Sequence, residues 1–398
     1  PRSTEARALL TPSVSERNTL GVPMKFNLVI ASWLVLTVAS TSHAQAKRWI
    51  LESSDLATVE KGLQTHGGEK VRHLEHSKGL VANLSDAALK GLKKDHPGLV
   101  AIEDIEFSII ARASGAPAPV HPPQQIPWGL TRINARLANA VTKGSGVKVC
   151  VIDTGVDKTH ADLQANVVGG RNYVVAKGKI DPTGYNDDNG HGSHVAGIIA
   201  ALDNSIGTVG VAPEAKLYAV KALNSRGSGY LSAIADGVSQ CVSVGSHVIN
   251  MSLGATQDPN LASPLRTAVE NAIAAGVVVV VAAGNEGENI NMKIPAGYPS
   301  TIAVAATDSL DQFPSWSNFG LNNGDFSAPG VSIYSTWKSG GYNTISGTSM
   351  ASPHMAGVVA LKISSQSLGY KTFDLGRSLS VQGDGLIDAL ATVQNQLQ

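Results

Sequence analysis

The chain has 398 residues, more than one hydrophobic core usually organises, so more than one folding unit is expected. Its 31 basic residues balance 31 acidic ones, and charged residues make up only 16% of the total. With no basic run and no interleaving of aromatic and basic residues, a nucleic-acid surface is not expected.

In chain order, residues 1–23 precede the first methionine, Met24, and are expected to be upstream sequence with no part in the fold. From Met24 a lysine, a short apolar stretch over 26–39 and small residues at Ser42 and Ala44 read as a secretory signal peptide over 24–44. A membrane anchor is disfavoured, because the apolar run is short and ends in a cleavage-like tripeptide. The mature protein is therefore expected to be secreted, extracellular and free of the membrane.

Residues 45–110 read as a small α+β unit. A strand begins at Arg48, a helix follows over 57–65, residues 79–84 alternate like a strand, 85–93 form a capped helix, and 99–103 a last strand, giving the order β-α-β-α-β. The stretch 111–123 is rich in Ala, Gly and Pro without apolar periodicity, and is expected to be an exposed linker carrying a processing site.

Residues 124–398 read as an α/β unit with a three-layer parallel sheet. Apolar strands are expected over 147–152, 217–220, 248–251, 277–282 and 302–306. Between them, Leu231, Ile234, Val238, Cys241 and Val242, and then Leu265, Val269, Ala272 and Ile273, recur at helical spacing. An open parallel sheet places its ligand crevice at strand ends and helix starts, and four segments there carry chemistry.

The strand 149–152 ends in Asp153-Thr154-Gly155, a carboxylate at the rim. Next, Asn189-Gly190-His191-Gly192-Ser193-His194 opens a helix at an imidazole, the group that can take and return a proton near neutral pH. His194 could be read with His191 as a zinc pair, but no adjacent glutamate or third ligand is evident, so a structural role is expected for it. The strand 279–282 leads to Asn285, an amide able to donate to a developing oxyanion. Finally, Gly347-Thr348-Ser349-Met350 presents a hydroxyl where loop becomes helix, with Pro353 expected in the unpaired first turn.

In the order Asp, His, Asn, Ser these four segments resemble the subtilisin-like serine proteases, over roughly 124–398. The order differs from that of α/β-hydrolases and of chymotrypsin-like proteases. An aspartic protease would need a second Asp-Thr-Gly, and a binding-only relative would normally lack a triad or oxyanion member. The resemblance implies Ser349 as nucleophile, His191 as general base and then acid, Asp153 as its orienting group, and Asn285 as oxyanion donor, in a broad-specificity endopeptidase acting on proteins and peptides through an acyl-enzyme.

More loosely, residues 48–110 resemble that family's ferredoxin-like inhibitory propeptide, which implies a zymogen whose own N-terminal unit first aids folding and then blocks the cleft. Substrate is implied to lie as an added strand between Ser252-Leu253-Gly254 and Gly227-Ser228-Gly229. Glu286, Lys293 and the floor near Gly284 would line the first pocket, which is expected to tolerate large apolar residues.

The loop from Leu202 to Thr208 resembles the family's calcium loop, implying Ca2+ held by Leu202, Asn204, Ile206 and Thr208 with the remote ligands Gln124 and Asp162. Cys150 and Cys241 are both expected to be buried; secretion permits a disulfide, as in some secreted relatives, and two free thiols are the other reading. Neutral charge and few aromatics on the surface point to a monomer.

Overall fold

The computed structural model describes residues 46–113, 121–261 and 263–395. The expected signal peptide, the segment before it, and positions 114–120 of the linker lie outside the described residues.

The N-terminal part forms β1 (Lys47–Glu52), α1 (Leu56–Thr65), β2 (Glu69–His73), β3 (Gly79–Leu84), α2 (Asp86–Asp95) and β4 (Val100–Glu103). These strands make an antiparallel sheet in the order β2-β3-β1-β4. The sequence reading missed β2, because Glu69-Lys70-Val71-Arg72-His73 has a single apolar residue and so no alternation to recognise. Strand periodicity sorts the sheet's two faces. Leu51 and Leu80, paired across the strands, point into a core with Val59, Leu63, Leu89 and Leu92 of the two helices. Ile50 and Val81, one residue along, point the other way into the core of the main body. Burying each such side chain contributes about 1.5–3 kcal/mol, so the unit is held from both sides.

The chain continues through β5 (Glu106–Ile109), β6 (Arg112–Ala113), the short helices α3 (Trp128–Arg132) and α4 (Ala135–Ala138), β7 (Lys148–Asp153), β8 (Val167–Asn172) and α5 (His191–Ala200). After these come β9 (Lys216–Lys221), β10 (Ser228–Tyr230), α6 (Leu231–Ser243), β11 (Val248–Met251), β12 (Leu253–Thr256), α7 (Pro264–Ala274), β13 (Val278–Ala282), β14 (Lys293–Ile294) and β15 (Ile302–Thr307). The remainder is β16 (Phe326–Pro329), β17 (Ile333–Trp337), β18 (Gly341–Ser346), α8 (Thr348–Ser365), β19 (Thr372–Phe373), α9 (Leu379–Gln382), β20 (Leu386–Ile387) and α10 (Ala389–Val393).

Nine of these strands form one sheet, ordered β19-β20-β16-β15-β13-β11-β7-β9-β8, and every neighbouring pair from β8 to β20 is parallel. Alternate residues feed opposite faces. Val149, Val151, Val280 and Val304 meet the buried helices α5 and α8, whereas Cys150, Ile152, Val279 and Val281 meet α6 and α7. This is the expected three-layer α/β arrangement. A disulfide joins Cys150 on β7 to Cys241 on α6, spanning 91 residues, and settles the open reading of the two cysteines. It ties the strand that ends in Asp153 to the layer on the sheet's far face.

Candidate active site

One strand of the parallel sheet and two helices packed on it deliver the polar side chains to one crevice. Strand β7 ends at Asp153, α5 begins at His191, and α8 places Ser349 in its first turn. Two glycines allow the close approach. Gly190, with φ at 116°, sits where a Cβ would strike the Trp337 ring, and a Cβ on Gly192 would lie 2.0 Å from the Gly155 carbonyl. His191 therefore reaches Asp153: its Nδ1 lies 2.8 Å from Oδ1 and 2.9 Å from Oδ2, both residues being buried. Asp153 also accepts the Thr154 N–H at 2.7 Å. A carboxylate at Nδ1 fixes the tautomer that leaves Nε2 free to accept a proton.

Asp187 organises this corner, and sequence reasoning missed it. Its Oδ1 accepts from the Thr154 hydroxyl and from the N–H groups of Asn189 and Gly190, each at 2.9 Å, while Oδ2 accepts from the Ser193 N–H at 2.9 Å and the Ser193 hydroxyl at 2.7 Å. A carboxylate at a helix N-terminus satisfies otherwise unpaired donors. The Ser193 hydroxyl is thereby engaged with Asp187, and it also accepts the Asp157 N–H at 2.9 Å. His194 is structural, as expected: its Nε2 faces the carbonyls of Ile333 and Asn343 at 3.0 and 3.1 Å, and burial together with the nearby His191 pulls its pKa down to about 3.

Ser349 is locked from two sides. Its hydroxyl donates to the Ser252 carbonyl at 3.0 Å, and its own carbonyl accepts the Ser252 hydroxyl at 2.9 Å. The second bond explains Pro353, which lies beyond the first turn of α8 rather than in it. A proline there cannot donate to the carbonyl four residues back, which is that of Ser349, and Ser252 supplies the missing donor. The hydrogen bond that a relay from Ser349 to His191 calls for is not formed; His191 Nε2 is buried without a partner while Ser349 donates to Ser252.

The crevice is occupied by the chain itself. Strand β5 lies antiparallel between β10 and β12, with Ser108 opposite Ser228, Phe107 opposite Gly229 and Ile109 opposite Leu253, so the two expected edges are filled by residues 106–109. The Ile109 N–H donates to the Gly227 carbonyl at 2.9 Å. Next along, the Ile110 carbonyl accepts from Asn285 Nδ2 at 2.9 Å. Beyond it, β6 pairs with β18, Arg112 opposite Ser346. Asn285 is held by Thr348, whose N–H and hydroxyl both donate to Asn285 Oδ1, at 2.9 and 3.0 Å, and whose oxygen accepts the Gly284 N–H at 3.0 Å. Thr348 was not singled out from sequence, although its place beside Ser349 was the available signal.

The N-terminal unit also docks away from the crevice. Asp104 accepts the N–H and hydroxyl of Ser232, both at 2.8 Å, and so caps α6, which has no side-chain cap of its own. In return Asp236 of α6 accepts from Arg72 at 2.5 Å and from the Glu75 and His76 N–H groups at 3.1 and 3.3 Å.

The residues expected at the calcium loop converge. The Gln124 N–H donates to the Ser205 carbonyl, Asn204 Nδ2 and the Thr208 N–H both donate to Asp162, and the Leu202 N–H donates to the Asp162 carbonyl. Ile206 donates its N–H to Asn204 Oδ1 at 2.8 Å. Gln124 Oε1 and Thr208 Oγ1 are buried without a donor, an unmet demand that a cation would satisfy. Among the described residues no cluster of three His, Cys, Asp or Glu could hold a metal, so an ion here would depend on the single Asp162 carboxylate together with amide and backbone oxygens.

A parallel three-layer sheet with a buried Asp–His pair, a helix-start serine and an amide aimed at a peptide carbonyl defines a serine endopeptidase. Comparison with known proteins agrees. A profile of the subtilase family matches residues 144–372. The chain is 41% identical over 356 residues to subtilisin NAT of Bacillus subtilis subsp. natto, covering 85% of this chain and 88% of that one. It is 38% identical over 333 residues to a thermostable alkaline protease of Halalkalibacterium halodurans, covering 83% and 85%, and 48% identical over 245 residues to a subtilisin of Bacillus pumilus, covering 61% and 86%. The chain belongs to the subtilase family.

Proposed function

We propose that this protein is a secreted, calcium-supported endopeptidase of broad specificity, made as a zymogen that cleaves its own Ile110–Ala111 bond. The carrying observation is the Ile110 carbonyl in the grip of Asn285 Nδ2, on a segment laid as an added strand across the crevice. In this reading the Ser349 hydroxyl leaves the Ser252 carbonyl and donates to His191 Nε2, a buried acceptor that lacks a partner. Ser349 Oγ then bonds to the Ile110 carbonyl carbon as its proton passes to His191, and Asn285 holds the resulting oxyanion. Collapse breaks the bond to Ala111, whose nitrogen takes the His191 proton. Water, deprotonated by His191, releases the acyl group and restores Ser349.

Segment 45–110 acts as folding aid and intramolecular inhibitor, and residues 111–123 follow the cut, so the processing bond falls at the upstream border of the expected linker. Main-chain pairing to Gly227, Ser228, Gly229, Ser252, Leu253 and Gly254 is blind to side chains, which supports broad specificity on protein and peptide substrates. Gln124, Asp162, Leu202, Asn204, Ile206 and Thr208 would hold Ca2+, which neutralises the loop's clustered oxygens and stiffens it. The mature enzyme acts outside the cell as a monomer; no helix among the described residues is long and apolar enough to cross a membrane.

N-terminal sequencing of the matured product tests the proposal. The account expects Ala111 at its start, or a residue of the 111–123 stretch after further trimming. A mature protein that retains residues upstream of Ala111 would overturn it.

A further inference from the structure

Strand β11 carries a polar residue where its neighbours carry apolar ones. Asn250 is in register with Val151 on β7 and Val280 on β13, and both valines lie in the core that packs against α8. The Asn250 side chain is fully buried in this row. An amide there is destabilising unless its polar atoms find partners, and Asn250 finds them on the way to Ser349. Its Oδ1 accepts the Ser352 hydroxyl at 2.7 Å, and its Nδ2 donates to Ser252 Oγ at 3.0 Å. Ser252 Oγ donates in turn to the Ser349 carbonyl at 2.9 Å.

These bonds run in one direction. Ser252 has a single hydroxyl hydrogen, and because Asn250 already donates to its oxygen, that hydrogen goes to the Ser349 carbonyl. Ser352 holds the amide the right way round: with Oδ1 engaged by the Ser352 hydroxyl, Nδ2 is the atom left facing Ser252. Ser252, Ser349 and Ser352 are fully buried too, so the bonds are shielded from solvent. The Ser349 carbonyl uses this link in place of the one that Pro353 cannot supply from within α8. We propose that Asn250 is a positioning residue for Ser349: its amide fixes the direction of the Ser252 hydroxyl, and through it the first turn of α8 on which the nucleophile is mounted. The inference goes beyond the proposed reaction and rests on its assignment of Ser349.

The test measures kcat and KM for a peptide substrate on the matured enzyme, per site counted with an acylating titrant. Asn250→Asp keeps the shape of the side chain but presents acceptors on both sides, so the Ser252 hydroxyl turns towards it and leaves the Ser349 carbonyl. The account expects kcat to fall about tenfold with KM within about twofold of wild type, and Ser252→Ala to lower kcat to a similar degree. Because both changes break the same link, the double variant should be no slower than the slower single one. Adding Pro353→Ala returns a backbone N–H to the Ser349 carbonyl. It should bring kcat of either variant to within about threefold of Pro353→Ala alone while the thermal midpoint stays below that of Pro353→Ala, a separation that a purely structural role does not produce. Should Asn250→Asp fold poorly, Asn250→Val, matched to the valines on either side, removes the donor to Ser252 and is expected to lower kcat about fivefold, again without adding to Ser252→Ala. A kcat within about twofold of wild type for the Asn250 variant, losses that multiply in the double variant, or no recovery with Pro353→Ala overturns the inference. Cleavage that persists in Ser349→Ala would instead remove the assignment on which it rests.

Discussion

The N-terminal unit and the main body hold together by different means. The body has two apolar layers on a nine-stranded sheet and a disulfide between β7 and α6. The N-terminal unit has one small core of its own and leans on the body through one sheet face, a strand in the cleft and two carboxylates at α6. The body therefore rests on internal layers and a covalent tie, whereas the N-terminal unit rests on a limited contact surface; under the proposed cut after Ile110, that surface alone would retain it.

The largest expected effect lies in the body. Cys150 and Cys241 close a loop of 91 residues, for which the chain-entropy model gives about 4–5 kcal/mol. Replacing both by alanine should lower the thermal midpoint of the matured enzyme by about 10 °C or more; an unchanged midpoint would mean that the body does not depend on its staple.

A smaller effect falls on the attachment. Asp236 pairs with Arg72 and two N–H groups, so Asp236→Ala leaves a nearly buried guanidinium with the His73 carbonyl but no carboxylate partner. It should weaken inhibition of the matured enzyme by the separately added N-terminal unit by about 2–3 kcal/mol, roughly 30- to 150-fold in the inhibition constant, with peptide hydrolysis as the reference reaction. An unchanged inhibition constant would place the attachment wholly in the cleft strand and the apolar face.

The smallest concerns pH and again the body. His194 and His354 are buried neutral, their pKa values pulled down by burial to about 3 and about 4, whereas each returns to about 6.5 on unfolding. Below pH 6.5 the unfolded chain binds protons that the folded body refuses. The stability they contribute is therefore complete above pH 6.5 and is lost as pH falls towards 4, by about 2 kcal/mol per ring at pH 5. Thermal midpoints at pH 7 and 5 should diverge less for His354→Gln than for wild type, and equal divergence would remove His354 from this role.

Much of this was legible in the sequence because local runs carry it. Asp153 ends a strand, His191 and Ser349 open helices, and Asn285 follows a strand by three residues; the order of these motifs along the chain carried the resemblance that implied their roles, and both cleft edges sit in short glycine-bearing stretches. What was not legible depends on partners remote in the chain. Asp187 earns its place only when Thr154 arrives from β7, and the Ser349 carbonyl needs Ser252, 97 residues away, to excuse Pro353. Residues 106–110 read as the tail of the small unit, since nothing local tells a strand of one sheet from an occupant of another's cleft. Strand β2 escaped because its side chains are mostly charged and its partner β3 supplies the apolar face.

The proposed mechanism requires Ser349, and no other hydroxyl near His191, to be the nucleophile. Treating the matured enzyme with a serine-directed phosphonate and mapping the adduct by peptide mass spectrometry tests it most directly. The account predicts one stoichiometric adduct on Ser349, with activity lost in parallel and no labelling of Ser349→Ala. An adduct on Ser193, or labelling and activity that persist in Ser349→Ala, would contradict it.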